Sequence, residues 1–237
     1  MNELKLNVKI FADGANEKEM LRLYESNLIK GLTTNPTLMR QEEISNYEEF
    51  ARKILLKVKN KPISFEVFAD DFERMEEQAI KISEWQENVY VKIPITNTKG
   101  YSSCDLIKTL TNRGIKINVT ALMTIDQVEE VNKSLNYKVP SYVSIFAGRI
   151  ADTGIDPVNT ISESLKILEN NNQSEIIWAS PRELLNIFQA NDIGCHAITV
   201  TTSLLDKLKL INYDLKKYSL DTVKMFYDDA LKSGYSI

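Results

Sequence analysis

The 237-residue sequence predicts an α/β fold, a (β/α)8 (TIM) barrel with an extra C-terminal amphipathic helix. Three observations predict it. Short β-rich runs alternate with longer stretches of helical spacing, which implies a parallel sheet covered by helices. The runs number eight, the count that closes such a barrel, at about 30 residues per strand-helix unit. No composition shift or low-complexity linker divides the chain, so residues 1–237 read as a single domain. A doubly wound open sheet is the alternative.

The first run, LNVKIFA (6–12), leads into a helical stretch at 17–27; IKGLTT (29–34) leads into 46–59, and ISFEVFA (63–69) into 71–86. VYVKIPI (89–95) precedes 102–112, KINVTAL (116–122) precedes 125–136, and YVSIFAG (142–148) precedes 158–170. EIIWAS (175–180) and AITVTT (197–202) complete the set, with helices at 182–190 and 204–209. Turn chemistry marks the boundaries. Asp156-Pro157 and Ser180-Pro181 each set a capping residue before a first-turn proline, Thr124 is placed to cap 125–136, and Asn170-Asn171-Asn172 reads as a helix end. In the last segment, 218–232, Leu220, Val223, Tyr227, Ala230 and Leu231 share one face, which needs a surface to dock on, its own barrel or a neighbouring subunit.

Composition narrows the chemistry. Against 29 Lys+Arg stand 33 Asp+Glu, a net charge of −4 that gives no reason to expect a nucleic-acid or membrane partner. Hydrophobic residues at 43% and charged residues at 26% suit a globular chain with its own core. No apolar run reaches the length of about 18 that suggests a membrane span, and the N-terminal Met-Asn-Glu-Leu-Lys has no leader pattern. A cytoplasmic protein with reduced thiols is expected. Cys104 and Cys195 are far apart and His196 is alone, so no metal site is expected. His196, between Cys195 and Ala197 at a strand entrance, reads as a structural histidine. No G-x-G-x-x-G or G-x-x-x-x-G-K-[ST] occurs, so no nucleotide cofactor is indicated.

Barrels of this kind hold their chemistry at the carboxyl ends of the strands. Strand one ends in Asp13 and strand two in Thr33, Thr34 and Asn35; strand three carries Glu66, strand four Lys92, strand five Asn118 and Thr120, strand six Ser144 and strand seven Ser180. Period-two alternation puts Asn118 with Thr120, and Ser144 with Phe146, on shared faces. Lys92 stands in the apolar run VYVKIPI, where burial of an ammonium is costly unless it is paired or neutralised. A desolvated lysine supplies the free amine that attacks a carbonyl. Alternatively it reaches the barrel rim or pairs with Glu66, and Lys9 and Lys116 show that a strand lysine alone is weak evidence. Glu66 and Asp13 suit proton transfer around an imine, or a salt bridge to Lys92. Asn118 and Thr120 suit orientation of a water or substrate hydroxyl, or simple layer filling.

For an anion, Ser180-Pro181-Arg182-Glu183 follows strand seven, where a helix N-terminus and Arg182 suit a phosphate. The same S-x-x-E is also a capping box. Arg149, after Gly148 at the end of strand six, adds a second guanidinium, with surface salt bridges as the plainer reading of both arginines.

GLTTNPTL (31–38), VKIP (91–94), NVTAL (118–122), SIFAGRIAD (144–152) and WASPRE (178–183) together resemble the signature segments of the transaldolase family, in the short bacterial-type branch that also holds fructose-6-phosphate aldolase. The resemblance implies a class I, Schiff-base enzyme without a cofactor. Its reaction would move a dihydroxyacetone unit from a ketose phosphate (fructose 6-phosphate or sedoheptulose 7-phosphate) to an aldose phosphate. It implies Lys92 as the Schiff-base lysine, Asp13 as acid/base, and Glu66 and Thr120 as holders of a water. Asn35, Asn118 and Ser144 would contact the dihydroxyacetone hydroxyls, Thr33 would be a further substrate-binding residue, and Arg149, Ser180 and Arg182 would bind phosphate. Phe146 matches the transferases, where the aldolase branch has tyrosine. Strand one reads FADGAN where many members have a shorter Asp-Thr or Asp-Ser turn. An aldol lyase on a related sugar is the alternative activity, and a non-catalytic sugar-phosphate barrel fits the polar ring poorly. The resemblance further implies a homo-oligomer, a pentamer or decamer, with the tail helix crossing to a neighbour.

Overall fold

In the computed structural model, which describes residues 5–235, eight parallel strands pair in chain order and the last closes on the first. Met1–Leu4, on which the expectation about a leader bears, lies outside the described residues. The strands are β1 (Lys9–Asp13), β2 (Ile29–Thr33), β3 (Ile63–Glu66), β4 (Val89–Pro94), β5 (Ile117–Leu122), β6 (Ser141–Ile145), β7 (Ser174–Trp178) and β8 (Ala197–Thr201). Between them run α1 (Glu17–Tyr24), α2 (Pro36–Gln41), α3 (Tyr47–Leu55), α4 (Phe72–Ser83), α5 (Cys104–Asn112) and α6 (Ile125–Ser134). Then come α7 (Ala147–Asp152), α8 (Pro157–Ile167) and α9 (Leu185–Asp192). All eight expected strands are present, and the open-sheet alternative is excluded by the β1–β8 pairing. None of the helices among the described residues is long and apolar enough to cross a membrane.

The chain divides into two compact units, the barrel through Thr202 and a second unit from Ser203. The second unit continues α10 (Thr202–Leu205) into a 3-10 turn (Asp206–Leu210) and ends in α11 (Leu215–Ser233), capped by the Asp214 side chain. On α11 the apolar residues Leu220, Val223, Tyr227 and Leu231 are exposed.

The barrel helices form where their caps stand. Asn16, Asn46, Asp71, Thr124 and Asp156 each accept a first-turn amide hydrogen, and Thr124 with Gln127 closes a full capping box. Two short helices depart from the expected pattern. α2 begins at the Asn35 cap and Pro36, and α7 takes the residues GRIAD, so Gly148 and Arg149 lie in a helix and not at a strand end. The Ser180 cap does not form. Ser180 adopts a left-handed φ of 59°, and the helix starts later, at Leu185, where the Asn186 side chain accepts from Arg182 N (2.8 Å) and Glu183 N (3.1 Å).

Inside the barrel, toward the amino-terminal end, a buried cluster of mostly aromatic and aliphatic side chains forms. Phe11, Tyr142, Ile177 and Ala197 pack there with Tyr90 against them. The Phe11 and Tyr142 rings meet edge to face at 5.3 Å, and Tyr142 lies tilted against Tyr90 at 4.4 Å. This floor seals the barrel beneath the polar layer described below. His196 lies at that same end, with Nδ1 accepting from Ile176 N at 3.0 Å, a structural contact far from the carboxyl ends of the strands.

Gly148 controls how α7 meets the turn after β7. A Cβ built there would lie 1.6 Å from the Ser180 carbonyl oxygen, a backbone atom that cannot swing aside. Gly148→Ala is expected to destabilise the barrel by about 3 kcal/mol, from overpacking against backbone. Urea unfolding checks this, and a loss below about 0.5 kcal/mol, the scale of a neutral surface change, would contradict it.

Candidate active site

Parallel register places Glu66, Lys92 and Asn118 directly opposite one another across β3, β4 and β5. Lys92 is only 7% exposed, so its side chain does not escape to the rim. Its Nζ lies 3.3 Å from Glu66 Oε2 and donates to the Thr34 carbonyl at 3.1 Å. Of the two structural fates open to this lysine, the pairing is the one present. Such a pair does not preclude chemistry, because it holds the amine at one point of a cavity floor with a base beside it. The contrast with Lys9 and Lys116 is informative. Lys9 pairs with Glu175 at 2.6 Å, and the Lys116 amine stands 5.8 Å from the Tyr90 ring, both toward the amino-terminal end.

Asp13, the last residue of β1, receives a hydrogen bond from Thr33 Oγ1 (2.8 Å) and another from Asn35 Nδ2 (3.2 Å to Oδ2). Asn35 is oriented by its second task, since its Oδ1 caps α2 by accepting from Leu38 N at 3.0 Å. That cap leaves the amide NH2 no choice but to face Asp13. Burial raises the Asp13 pKa above the ordinary 3.8, outweighing the Lys92 charge and the two hydrogen bonds that lower it. A carboxyl moved in this direction suits reversible proton exchange better than an ordinary surface aspartate does.

From β6 through β5 to β3 runs a short chain of hydrogen-bonded side chains. Ser144 Oγ donates to Asn118 Oδ1 (2.7 Å), and Asn118 Nδ2 donates to Ser64 Oγ (3.0 Å). Thr120 differs: its hydroxyl is buried without a partner among the described residues. Ala121 follows with a φ of 67°, and the β5–β6 register shifts there, a bulge beside the cavity. An unpartnered hydroxyl on a cavity wall is suited to hold a water or a substrate oxygen.

Phe146, Arg149, Ser180 and Arg182 line the opposite wall of the same cavity, whose volume is about 420 Å³. Thus the candidate site residues named from the sequence, from Asp13 on β1 to Arg182 beyond β7, border one space, Thr34 excepted: it lies behind the wall and presents its carbonyl to Lys92. The two arginines differ in state. Arg149 is exposed and has no salt bridge among the described residues. Arg182 is clasped by Asp152, through Nε at 3.0 Å and through Nη2.

Sequence reasoning overlooked several contributors. Ser64 shares a strand face with Glu66, so the period-two rule that located Glu66 could have found it. Thr199 and Thr201 also border the cavity, from β8. Asp152 and Tyr47, whose hydroxyl accepts from Glu66 N at 2.7 Å, carry no local signal, because each acts on a residue distant in sequence.

Comparison with known proteins agrees with this geometry. Residues 10–236 match the family model described as Transaldolase/Fructose-6-phosphate aldolase. A "Probable transaldolase 2" of Listeria monocytogenes is 35% identical over 202 residues, covering 85% of this chain and 88% of that protein. A "Probable transaldolase" of Nitrosopumilus maritimus is 32% identical, covering 90% and 92% of the two chains. Another from Thermoanaerobacter sp. is 31% identical, covering 97% and 100%. With a closed eight-stranded barrel and a match along nearly its whole length, this chain belongs to the transaldolase/fructose-6-phosphate aldolase family of enzymes.

Proposed function

We propose that the chain transfers a dihydroxyacetone unit from a ketose phosphate, fructose 6-phosphate or sedoheptulose 7-phosphate, to an aldose phosphate through a Schiff base on Lys92. The observation that carries this reading is a buried amine within reach of Glu66 and in the field of Asp13. In the first step the Lys92 amine adds to the C2 carbonyl of the donor, and loss of water gives the imine. Glu66 and the Thr120 hydroxyl hold the water through which those protons move. Asp13 then takes the proton of the C4 hydroxyl as the C3–C4 bond breaks, and the aldose phosphate leaves. The bonding pair stays with the lysine-bound three-carbon unit as an enamine. This carbon attacks the acceptor aldehyde, Asp13 returns its proton to the new hydroxyl, and water releases the ketose and the amine.

Asn35, Asn118 and Ser144 suit contacts to the dihydroxyacetone hydroxyls, since their amide and hydroxyl groups are already oriented by Asp13 and Ser64. Arg149, with no salt bridge among the described residues, is the stronger phosphate ligand, and Arg182 and Ser180 flank it. Phe146 supports transfer over simple cleavage, because its ring offers no hydroxyl to hold a water that would protonate the enamine.

The direct test is product analysis with fructose 6-phosphate. With erythrose 4-phosphate present, sedoheptulose 7-phosphate and glyceraldehyde 3-phosphate are expected, and without an acceptor no steady release of dihydroxyacetone. Acceptor-independent release would establish an aldol lyase instead, and no product in either case would leave a non-catalytic barrel.

Asp13 yields a second prediction. Its raised pKa means that the folded chain binds the proton more tightly than the unfolded chain. The stability this contributes is complete below the unfolded value of 3.8 and is lost as pH rises through the folded value. Asp13→Asn removes that loss. Its thermal midpoint is expected to exceed that of the native chain near pH 7, with the gain shrinking on acidification towards about pH 4. Turnover should fall by about 10²- to 10⁴-fold, the usual contribution of a general acid/base. A lower midpoint near pH 7, or retained turnover, would contradict this account.

A further inference from the structure

The hydrogen-bond ladder between β2 and β3 stops one rung early, and the place where it stops is the lysine site. Leu32 N donates to the Pro62 carbonyl (2.9 Å) and Thr34 N to the Ser64 carbonyl (3.3 Å). Parallel ladders are evenly spaced, so the next rung would run from Glu66 N to the Thr34 carbonyl. The Thr34 carbonyl instead accepts from Lys92 Nζ at 3.1 Å, and Glu66 N donates to the Tyr47 hydroxyl at 2.7 Å. The Thr34 side chain, beside the same hydroxyl, is turned to its own strand pair, its Oγ1 donating to the Ser64 carbonyl at 3.1 Å. The Tyr47 ring is held from several sides, by Phe68 (4.4 Å between centroids), Phe65 (6.0 Å) and Trp85 (6.0 Å). Burial drives its phenol above the ordinary value of 10, so the O–H stays intact.

We infer that Tyr47 is a positioning residue for the Lys92 amine: its hydroxyl draws the Glu66 amide out of the ladder and so leaves the Thr34 carbonyl open to Lys92. A part-buried amide hydrogen must find an acceptor. Without the hydroxyl, the acceptor next in line is the Thr34 carbonyl, and closure of that rung competes with Lys92. The amine, left chiefly to Glu66, moves from its place. The catalytic half of this inference rests on the proposed Schiff-base role of Lys92, whereas the ladder half does not.

Two variants separate the hydroxyl from the packing. Tyr47→Phe keeps the ring and removes the hydroxyl, and Phe68→Leu loosens the ring's packing but keeps the hydroxyl. In a crystal structure of Tyr47→Phe, Glu66 N is expected within hydrogen-bond range of the Thr34 carbonyl, with Lys92 Nζ withdrawn from it. Its kcat for transfer should fall by about 10- to 100-fold, as for a displaced catalytic group, with KM within about twofold. Phe68→Leu should keep kcat even if its thermal midpoint falls. The inference is overturned if Tyr47→Phe retains the Lys92–Thr34 bond or its kcat, or if Phe68→Leu loses kcat equally. Absence of transfer by the native chain would sink the proposed function, and the crystal structures would still decide the ladder claim.

Discussion

An ammonium buried inside a barrel has to be matched by acceptors on neighbouring strands, and the upper half of this barrel is organised around that demand at Lys92. The parallel register brings Glu66 opposite it from β3, and the interrupted β2–β3 ladder brings the Thr34 carbonyl from the other side. Desolvation alone would drive such a group to neutrality or to the surface. Two acceptors, the Glu66 carboxylate and the Thr34 carbonyl, satisfy it where it lies. Below it, the rings of Phe11, Tyr90 and Tyr142 close the barrel, so the polar layer faces one mouth only. Asp13 belongs to the same layer, and its tie to Asn35 links the carboxylate to the cap of a helix.

The far wall of the cavity depends on a different constraint, the close approach of α7 to the turn after β7. Gly148 permits that approach because a side chain would strike the Ser180 carbonyl, and Ser180 turns through a left-handed conformation to make the contact. Arg149 and Arg182 thereby border one space, although they come from different strand-helix units. Their charges are unequal in effect. Asp152 satisfies much of the Arg182 fork, whereas Arg149 is open to an incoming anion. A chain with an overall charge of −4 therefore presents a locally cationic wall opposite its lysine.

Much of this was legible from residues alone, for identifiable reasons. The period-two runs and their helical partners are long-range repeats of a local rule, so the eight strands and the positions of Lys92, Glu66, Asn118 and Ser144 could be read directly. Thr124 and Asp156 announced their helices because the capping interaction is local. Ser180-Pro181 carried the same local signal and misled, since Ser180 takes a left-handed φ and the Asn186 side chain accepts the amides of this turn instead. α7 was hidden because its first residues, Ala147 and Gly148, continue the run of β6. Asp152 and Tyr47 were invisible for a simpler reason: each is defined by a partner that only the closed barrel brings near.

The central claim is that the Lys92 amine is the nucleophile. Borohydride reduction during incubation with fructose 6-phosphate, followed by peptide mass spectrometry, addresses it without any assumption about the acceptor. A reduced three-carbon adduct confined to the peptide containing Lys92 is the expected result. An adduct on another lysine, or none under conditions where the sugar is consumed, would contradict the account.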